Sequence, residues 1–311
     1  MPDFRFGFNV FDVPSRAEFV ERCRRAEGLG YDIALAADHL GAPAPFPTMM
    51  AAADATERLR VGTLVLNAPF WNPHLLAREI VTADRLTGGR VEIGLGAGHM
   101  KWEFDEAGIP WQPFGARVDR LAETVEELGR IFATSGYEQR RATAEMFGLT
   151  DLVPEQRTGF GGSGPPLLIG GTGDTVLRLA AEHADIVGIA GVYQAKGQPP
   201  GTFLLGTAEQ ADDRVRFVRE HAGDRAGEIE WNLLVQFVVV TDDRRAVAEE
   251  NVRRLPHLTA DEILETPYLL IGTEEQMAEQ LRERRERYGF SYITVHGPFM
   301  DVFGPVIERL G

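Results

Sequence analysis

A single cysteine, Cys23, stands among 311 residues, so no disulfide can close within the chain and no thiolate cluster can hold a metal. Basic residues are also scarce. Thirty-two Lys and Arg face 47 Asp and Glu, a formal net charge of −15, which argues against nucleic acid or an anionic membrane as partner. A small anionic ligand stays open, because backbone amides at a helix start can hold a phosphate without a basic surface. No apolar run approaches the length of a membrane span, and residues 1–30 lack the apolar core of a signal peptide. The expectation is a soluble cytoplasmic protein. The seven histidines form no i, i+4 pair and no HExxH run, so no metal is expected. A GxSxG elbow is missing too, which leaves nucleophilic hydrolysis without a nucleophile.

What is present is a repeating grammar of helix, glycine-bearing turn and short apolar strand. It recurs at 27–35 (EGLGYDIAL), 86–95 (LTGGRVEIGL) and 286–295 (ERYGFSYITV), and without the glycine at 182–190 (EHADIVGIA). Such units wind right-handed into a parallel sheet. Taken in order, strands are expected at 5–10, 32–36, 60–66, 91–95, 166–170, 186–190, 229–240 and 292–296. Eight strands with helices between them give a single (β/α)8 barrel domain, the α/β TIM-barrel class, over 1–311. Ser15 with Glu18 reads as a capping box, Asn72-Pro73 as a helix start and Thr273 with Gln276 as another cap. The long helix at 115–132 buries Leu121, Val125, Leu128 and Ile131. Segments 135–164 and 193–206 read as irregular insertions, as does 256–268. A doubly wound dinucleotide fold would need a glycine fingerprint after the first strand, where this chain has Phe11-Asp12-Val13-Pro14.

In such a barrel the chemistry sits at the carboxyl ends of the strands. The stretch VEIGLGAGHMKWE at 91–103 is the anchor of the reading. Its strand ends in Gly96, Ala97 and Gly98, which admit a flat ligand to the backbone, and His99 and Trp102 follow. Trp102 could cover a planar ring. Asp38-His39 ends the second strand, and an imidazole there suits general acid–base work near neutral pH. Gly170-Gly171-Thr172-Gly173 joins a strand to a helix, a geometry that aims free amides at an anion, with the Thr172 hydroxyl as a further donor. Ile189, on the sixth strand, joins the candidate cofactor contacts. His74 and His296 read equally well as site or as structure.

Asp38-His39, GTLVL at 62–66, WNPHLLAREI at 71–80, TGGRVEIGLGAG at 87–98 and LLIGG at 167–171 together resemble the bacterial luciferase-like superfamily. Within it they are closer to the actinobacterial oxidoreductases that use the deazaflavin coenzyme F420. The resemblance spans nearly the whole chain and rests on the order and spacing of the motifs. It implies a bacterial luciferase-like TIM barrel, often a homodimer, with a flavin-type ring at the carboxyl mouth. It also implies a non-prolyl cis peptide at Leu64-Val65 bulging against that ring. Gly96–Gly98 and Gly170–Thr172 would line the ring edge and the phosphate, Asp38 would contact the coenzyme, and His39 would lie near its reactive carbon. The sugar-phosphate dehydrogenase branch carries a glutamate where this chain has His99. It also carries a tryptophan four residues after the histidine, where this chain has Pro43. Glucose 6-phosphate is therefore not the expected substrate.

The implied activity is hydride transfer between the deazaflavin and a small organic substrate such as an enone, imine or alcohol. His39 would move the accompanying proton and His99 would assist. Phe11, Phe46, Phe70, Trp71 and Trp102 suggest an apolar or aromatic compound. Two alternatives stand beside this: an FMN-dependent two-component monooxygenase, and a non-catalytic flavin-binding barrel.

Overall fold

The computed structural model describes residues 3–134 and 137–311. Eight parallel strands close a barrel: β1 (Arg5–Val10), β2 (Ile33–Ala36), β3 (Arg60–Thr63), β4 (Val91–Gly96), β5 (Leu167–Gly171), β6 (Ile186–Ile189), β7 (Glu230–Val235) and β8 (Phe290–His296). Neighbours in the ring are neighbours in sequence. β1 pairs with β8 through Phe8 and Val295, and β3 meets β4 through Val61 and Val91.

Side-chain alternation decides what each strand residue does. Ile33, Leu35, Leu168, Ile186 and Tyr292 form an inner cluster, while Val61, Ile93, Ile169, Val187 and Ile189 pack outward in the larger core beneath the helices. At the amino end the interior is closed by ions. Glu92 accepts from both Arg5 and Arg60, Arg5 also reaches Glu230, and the Arg5 guanidinium lies 4.6 Å from the Tyr292 ring centroid.

The helices start where their capping residues place them. Asn72 Oδ1 accepts from the amides of His74 and Leu75 at 3.0 and 3.3 Å, opening Pro73–Leu86. Thr273 and Gln276 form the reciprocal box of Glu274–Tyr288. Ser15 caps Arg16–Gly28 through the Glu18 amide, but the Glu18 carboxylate accepts from the Ser15 hydroxyl rather than from the cap amide.

Several boundaries differ from the sequence reading. The apolar run at 229–240 is two strands. After Val235 the chain leaves the barrel, and Phe237–Val240 pairs in parallel with Leu269–Gly272 outside it. The second irregular stretch thus contains that strand and the helix Ala260–Glu265, capped by Thr259. Segment 135–164 carries the helix Glu138–Phe147, ended by Gly148 at φ 61°, where glycine takes a left-handed turn without steric cost. The loop at 193–206 is pinned by an antiparallel pair, Val192–Gln194 with Phe203–Leu205. Residues 135 and 136 of the first insertion lie outside the described residues. Among the described residues, no helix is long and apolar enough to cross a membrane.

Candidate active site

The floor of the carboxyl mouth is set by the break after Thr63. The Leu64–Val65 peptide is cis, as the resemblance implies, and the chain rejoins the sheet at Leu66–Asn67 beside β4. The glycines of β4 admit this segment. A Cβ on Gly94 would stand 2.2 Å from the Thr63 carbonyl oxygen, one on Gly96 2.6 Å from Val65 Cγ2, and one on Gly98 2.7 Å from Asn67 Oδ1. The run that sequence reasoning reserves for a ligand therefore serves the protein's own bulge first. Leu64 and Val65 end up half-buried on the inner cluster.

Two inner-facing glycines differ from these. A Cβ on Gly170 would meet nothing nearer than 3.7 Å, and one on Gly188 nothing nearer than 3.5 Å. Packing does not require either to be bare. Gly170 is half-buried and leaves side-chain-free backbone beside Val65, which suits a flat ring, whereas Gly188 is buried.

Over one side of this floor stand the polar groups of β2 and β4. Asp38 Oδ2 accepts from the Asn67 amide at 3.0 Å and from Trp71 Nε1 at 2.9 Å. Next to it, His39 Nδ1 lies 2.8 Å from Glu103 Oε1, and its ring meets that of His99 edge-on at 5.3 Å between centroids. Phe203, from the hairpin in the second insertion, packs against His99 at 5.4 Å. His99 has surface open to solvent, yet burial lowers its pKa to about 4, with His39 and Arg117 adding to the shift. Desolvation by the surrounding protein, rather than loss of its own surface, is what lowers the value. The Arg117 guanidinium lies 3.6 Å from the Trp111 ring centroid and donates to the carbonyls of Gly98 and Gln112.

At the β5 end, Gly173 opens the helix Asp174–His183 without any side-chain cap, which leaves first-turn amides for an anion. A Cβ on Gly171 would meet Val176 Cγ1 at 2.7 Å, so this glycine is fixed by the strand–helix turn. The Thr172 hydroxyl donates to the Val192 carbonyl at 3.2 Å, so it is committed within the protein rather than free as a donor. Arg214 pairs with Asp174 and reaches the Thr172 carbonyl at 3.5 Å.

Asp38, His39, Leu64, Val65, Gly96, Gly98, His99, Gly170, Gly171 and Thr172 thus gather at the carboxyl tips of β2 to β5. One other candidate does not. Ile189 is fully buried and points outward into the core under the helices, because Ile186 and Gly188 take the inner positions of β6. Trp102 is half exposed on the short helix Lys101–Glu106 that follows β4 and makes no ring contact among the described residues. His74 is remote, bonded to Tyr137 and Glu127 between outer helices. His296 ends β8 and touches Gln236 and Phe11. Sequence reasoning missed Glu103, Arg117 and Phe203. A separate recess lined by Leu167, Asp185, Arg225 and Glu228 opens at the amino ends of the strands, the wrong end for a barrel's chemistry. Among the described residues, no three His, Cys, Asp or Glu side chains converge as a metal site would.

The fold is thus a closed parallel barrel whose third strand breaks into a bulge beneath a histidine-lined mouth. The chain matches the luciferase-like monooxygenase model over residues 6–259 and belongs to that family. Among its curated relatives is the F420-dependent glucose-6-phosphate dehydrogenase of Kribbella flavida, 25% identical over 324 residues, covering 94% of this chain and 95% of that one. Another is the 4-hydroxyprotoasukamycin monooxygenase of Streptomyces nodosus subsp. asukaensis, 29% identical over 202 residues, 65% of this chain and 51% of that one. Among solved structures, the coenzyme F420-dependent tetrahydromethanopterin reductase of Methanopyrus kandleri superposes with a TM-score of 0.72 at 17% identity, covering 100% of both chains. This last likeness supports the fold.

Proposed function

We propose that this protein is an oxidoreductase that uses coenzyme F420 and acts on a small organic substrate of the enone, imine or secondary-alcohol kind. One observation carries the reading. The bulge at Leu64-Val65, the bare backbone at Gly170, the amides after Gly173 and the His39–His99 pair all lie at the carboxyl end of the barrel. That set matches what a flat heterocycle bearing a phosphate tail needs. The relatives named for F420 chemistry support the choice of coenzyme. The residues that would hold it are Val65 and Gly170 under the ring, Asp38 and Gly98 at its edge, and the Gly171–Gly173 turn at the phosphate. When bound, the coenzyme supplies a hydride site at a ring carbon. The chain's own part is to orient the substrate above that ring and to move one proton. His39 moves the proton, and His99, uncharged at neutral pH, orients the substrate by hydrogen bonding. The exposed apolar side chains Met146, Phe147, Leu149 and Leu152 support the homodimer that goes with this reading.

A second reading, an FMN-dependent monooxygenase, is favoured by the Streptomyces relative. Titrating the protein with F420 and with FMN, while monitoring oxygen uptake and testing an enone, an imine and a secondary alcohol, separates the two. The expected result is F420 binding in the micromolar range or tighter, with turnover that consumes no oxygen. His39→Ala should keep that affinity and lower turnover by about 100-fold. FMN binding with oxygen uptake would replace the first reading by the second. Sedimentation of the same sample reads the dimer.

A further inference from the structure

Glu103 is the buried group that the proposed function leaves unused. Its side chain is 1% exposed. It is carried to the mouth by the six-residue helix Lys101–Glu106, which follows β4 directly. Oε1 meets the neighbouring loop twice: His39 Nδ1 lies at 2.8 Å and the Leu40 amide donates at 3.2 Å. Oε2 is buried with no hydrogen-bond partner.

A buried carboxylate with one oxygen unpartnered is a poor device for stability, since desolvating the charge costs more than one or two hydrogen bonds return. The contact has a definite chemical consequence instead. An ionised carboxylate can only accept, so the imidazole nitrogen facing it must carry the proton. The His39 ring is thereby held with hydrogen on Nδ1 and a lone pair on Nε2. The Leu40 amide, on the same oxygen, ties the backbone that carries the ring. The outer flank of the ring is fixed by the edge-on contact with His99.

We propose that Glu103 is the positioning residue of the site, fixing the tautomer and orientation of His39 so that Nε2 exchanges the substrate's proton. The redox part of this inference rests on the function proposed above; the tautomer part stands on geometry alone. For a secondary alcohol, the hydroxyl proton passes to Nε2 and the carbon-bound hydrogen leaves with its electron pair to the coenzyme. The substrate departs as a carbonyl compound, one hydride and one proton lighter. His39 becomes an imidazolium whose Nδ1–H remains hydrogen-bonded to Glu103. Carbonyl reduction is the same sequence reversed.

The test has two readouts. Long-range nitrogen–proton correlation spectra of the uniformly labelled protein, without coenzyme and above pH 8, report which nitrogen of His39 is protonated; His39→Gln assigns the signal. Hydrogen on Nδ1 is expected in the native protein, and loss of that preference in Glu103→Met. In turnover assays, Glu103→Met should lower kcat by about 100-fold, with coenzyme affinity within about threefold of native. Glu103→Gln keeps an acceptor oxygen but not the charge, and should retain the Nδ1–H tautomer while recovering about tenfold of the lost kcat. The inference is overturned if native His39 carries its proton on Nε2, or if Glu103→Met keeps both tautomer and kcat. Should Glu103→Met not fold, the native spectrum and Glu103→Gln still decide. A native protein that shows the expected tautomer but turns over nothing with F420 would count against the proposed function and leave Glu103 as the residue that sets the His39 tautomer.

Discussion

His99 shows how a single side chain reports its surroundings. An ordinary histidine titrates near 6.5, whereas burial, His39 and Arg117 bring this one to about 4. Between those values the unfolded chain holds a proton that the folded chain does not. Stability must therefore fall as pH drops from about 6.5 toward 4, and His99 contributes nothing further to the slope outside that window. His296 is shifted the same way by burial, so it adds to the loss with the same sign. The expected outcome is that His99→Gln flattens part of this dependence. Urea midpoints taken at pH 7.5 and pH 5 should lie closer together in the variant than in the native chain. Equal gaps would mean that His99 takes up its proton as readily folded as unfolded. Histidines 39 and 99 were legible in the sequence because each directly follows a short apolar strand, where a barrel exposes its chemistry. Glu103 was not. In the run KWEFDE it looks like Glu106 or Asp105, and only the approach of the β2 loop from 64 residues away separates it from a solvated face.

At the scale of elements, the strand glycines divide into two kinds that sequence alone cannot tell apart. Gly94 is demanded by the backbone of β3, since its Cβ would stand 2.2 Å from the Thr63 carbonyl oxygen. Gly170 is not, since its nearest neighbour would be 3.7 Å away. Gly94→Ala should therefore destabilise the fold by about 3 kcal/mol, because two strands must separate to admit one methyl group. Gly170→Ala should leave the unfolding midpoint nearly unchanged and weaken coenzyme binding by about tenfold, because its methyl group stands in the strip where the ring would lie. Denaturant curves and a binding titration on the two variants check both halves; a stable Gly94→Ala protein would refute the packing argument. Other elements escaped the sequence for reasons of the same kind. The run at 229–240 stays apolar past Val235, so periodicity cannot show that the hydrogen-bonding partner changes from β6 and β8 to Leu269–Gly272. The helix Lys101–Glu106 begins at Met100 with no side-chain cap, and six residues are too few to display a helical period. The strands at 33–36, 91–96, 186–189 and 290–296, by contrast, were visible because each is a short apolar block behind a helix.

For the whole molecule, the two ends of the barrel carry opposite duties. The carboxyl end is open and lined by groups with unsatisfied capacity. The amino end is sealed by Glu92, which is 4% exposed and bonds Arg5 and Arg60 together beneath Tyr292. A strand of six residues separates these ends by roughly 20 Å. Among the described residues, the ion cluster of one end shares no contact with the polar groups of the other. Stability and ligand binding should therefore be separable by substitution. Glu92→Gln leaves two arginines sharing a buried, uncharged partner, and removing one member of such a cluster costs about 3 kcal/mol. The expected result is a melting temperature lower by several degrees, roughly 2–4 °C per kcal/mol for a chain of this size or somewhat less. Coenzyme affinity, measured at a temperature where the variant is fully folded, should stay within about twofold of native. The reverse pattern is expected of Gly170→Ala, which touches only the mouth. If Glu92→Gln lost affinity in proportion to stability, the barrel would be transmitting strain from floor to mouth. The site would then depend on the whole cylinder rather than on the strand tips that compose it.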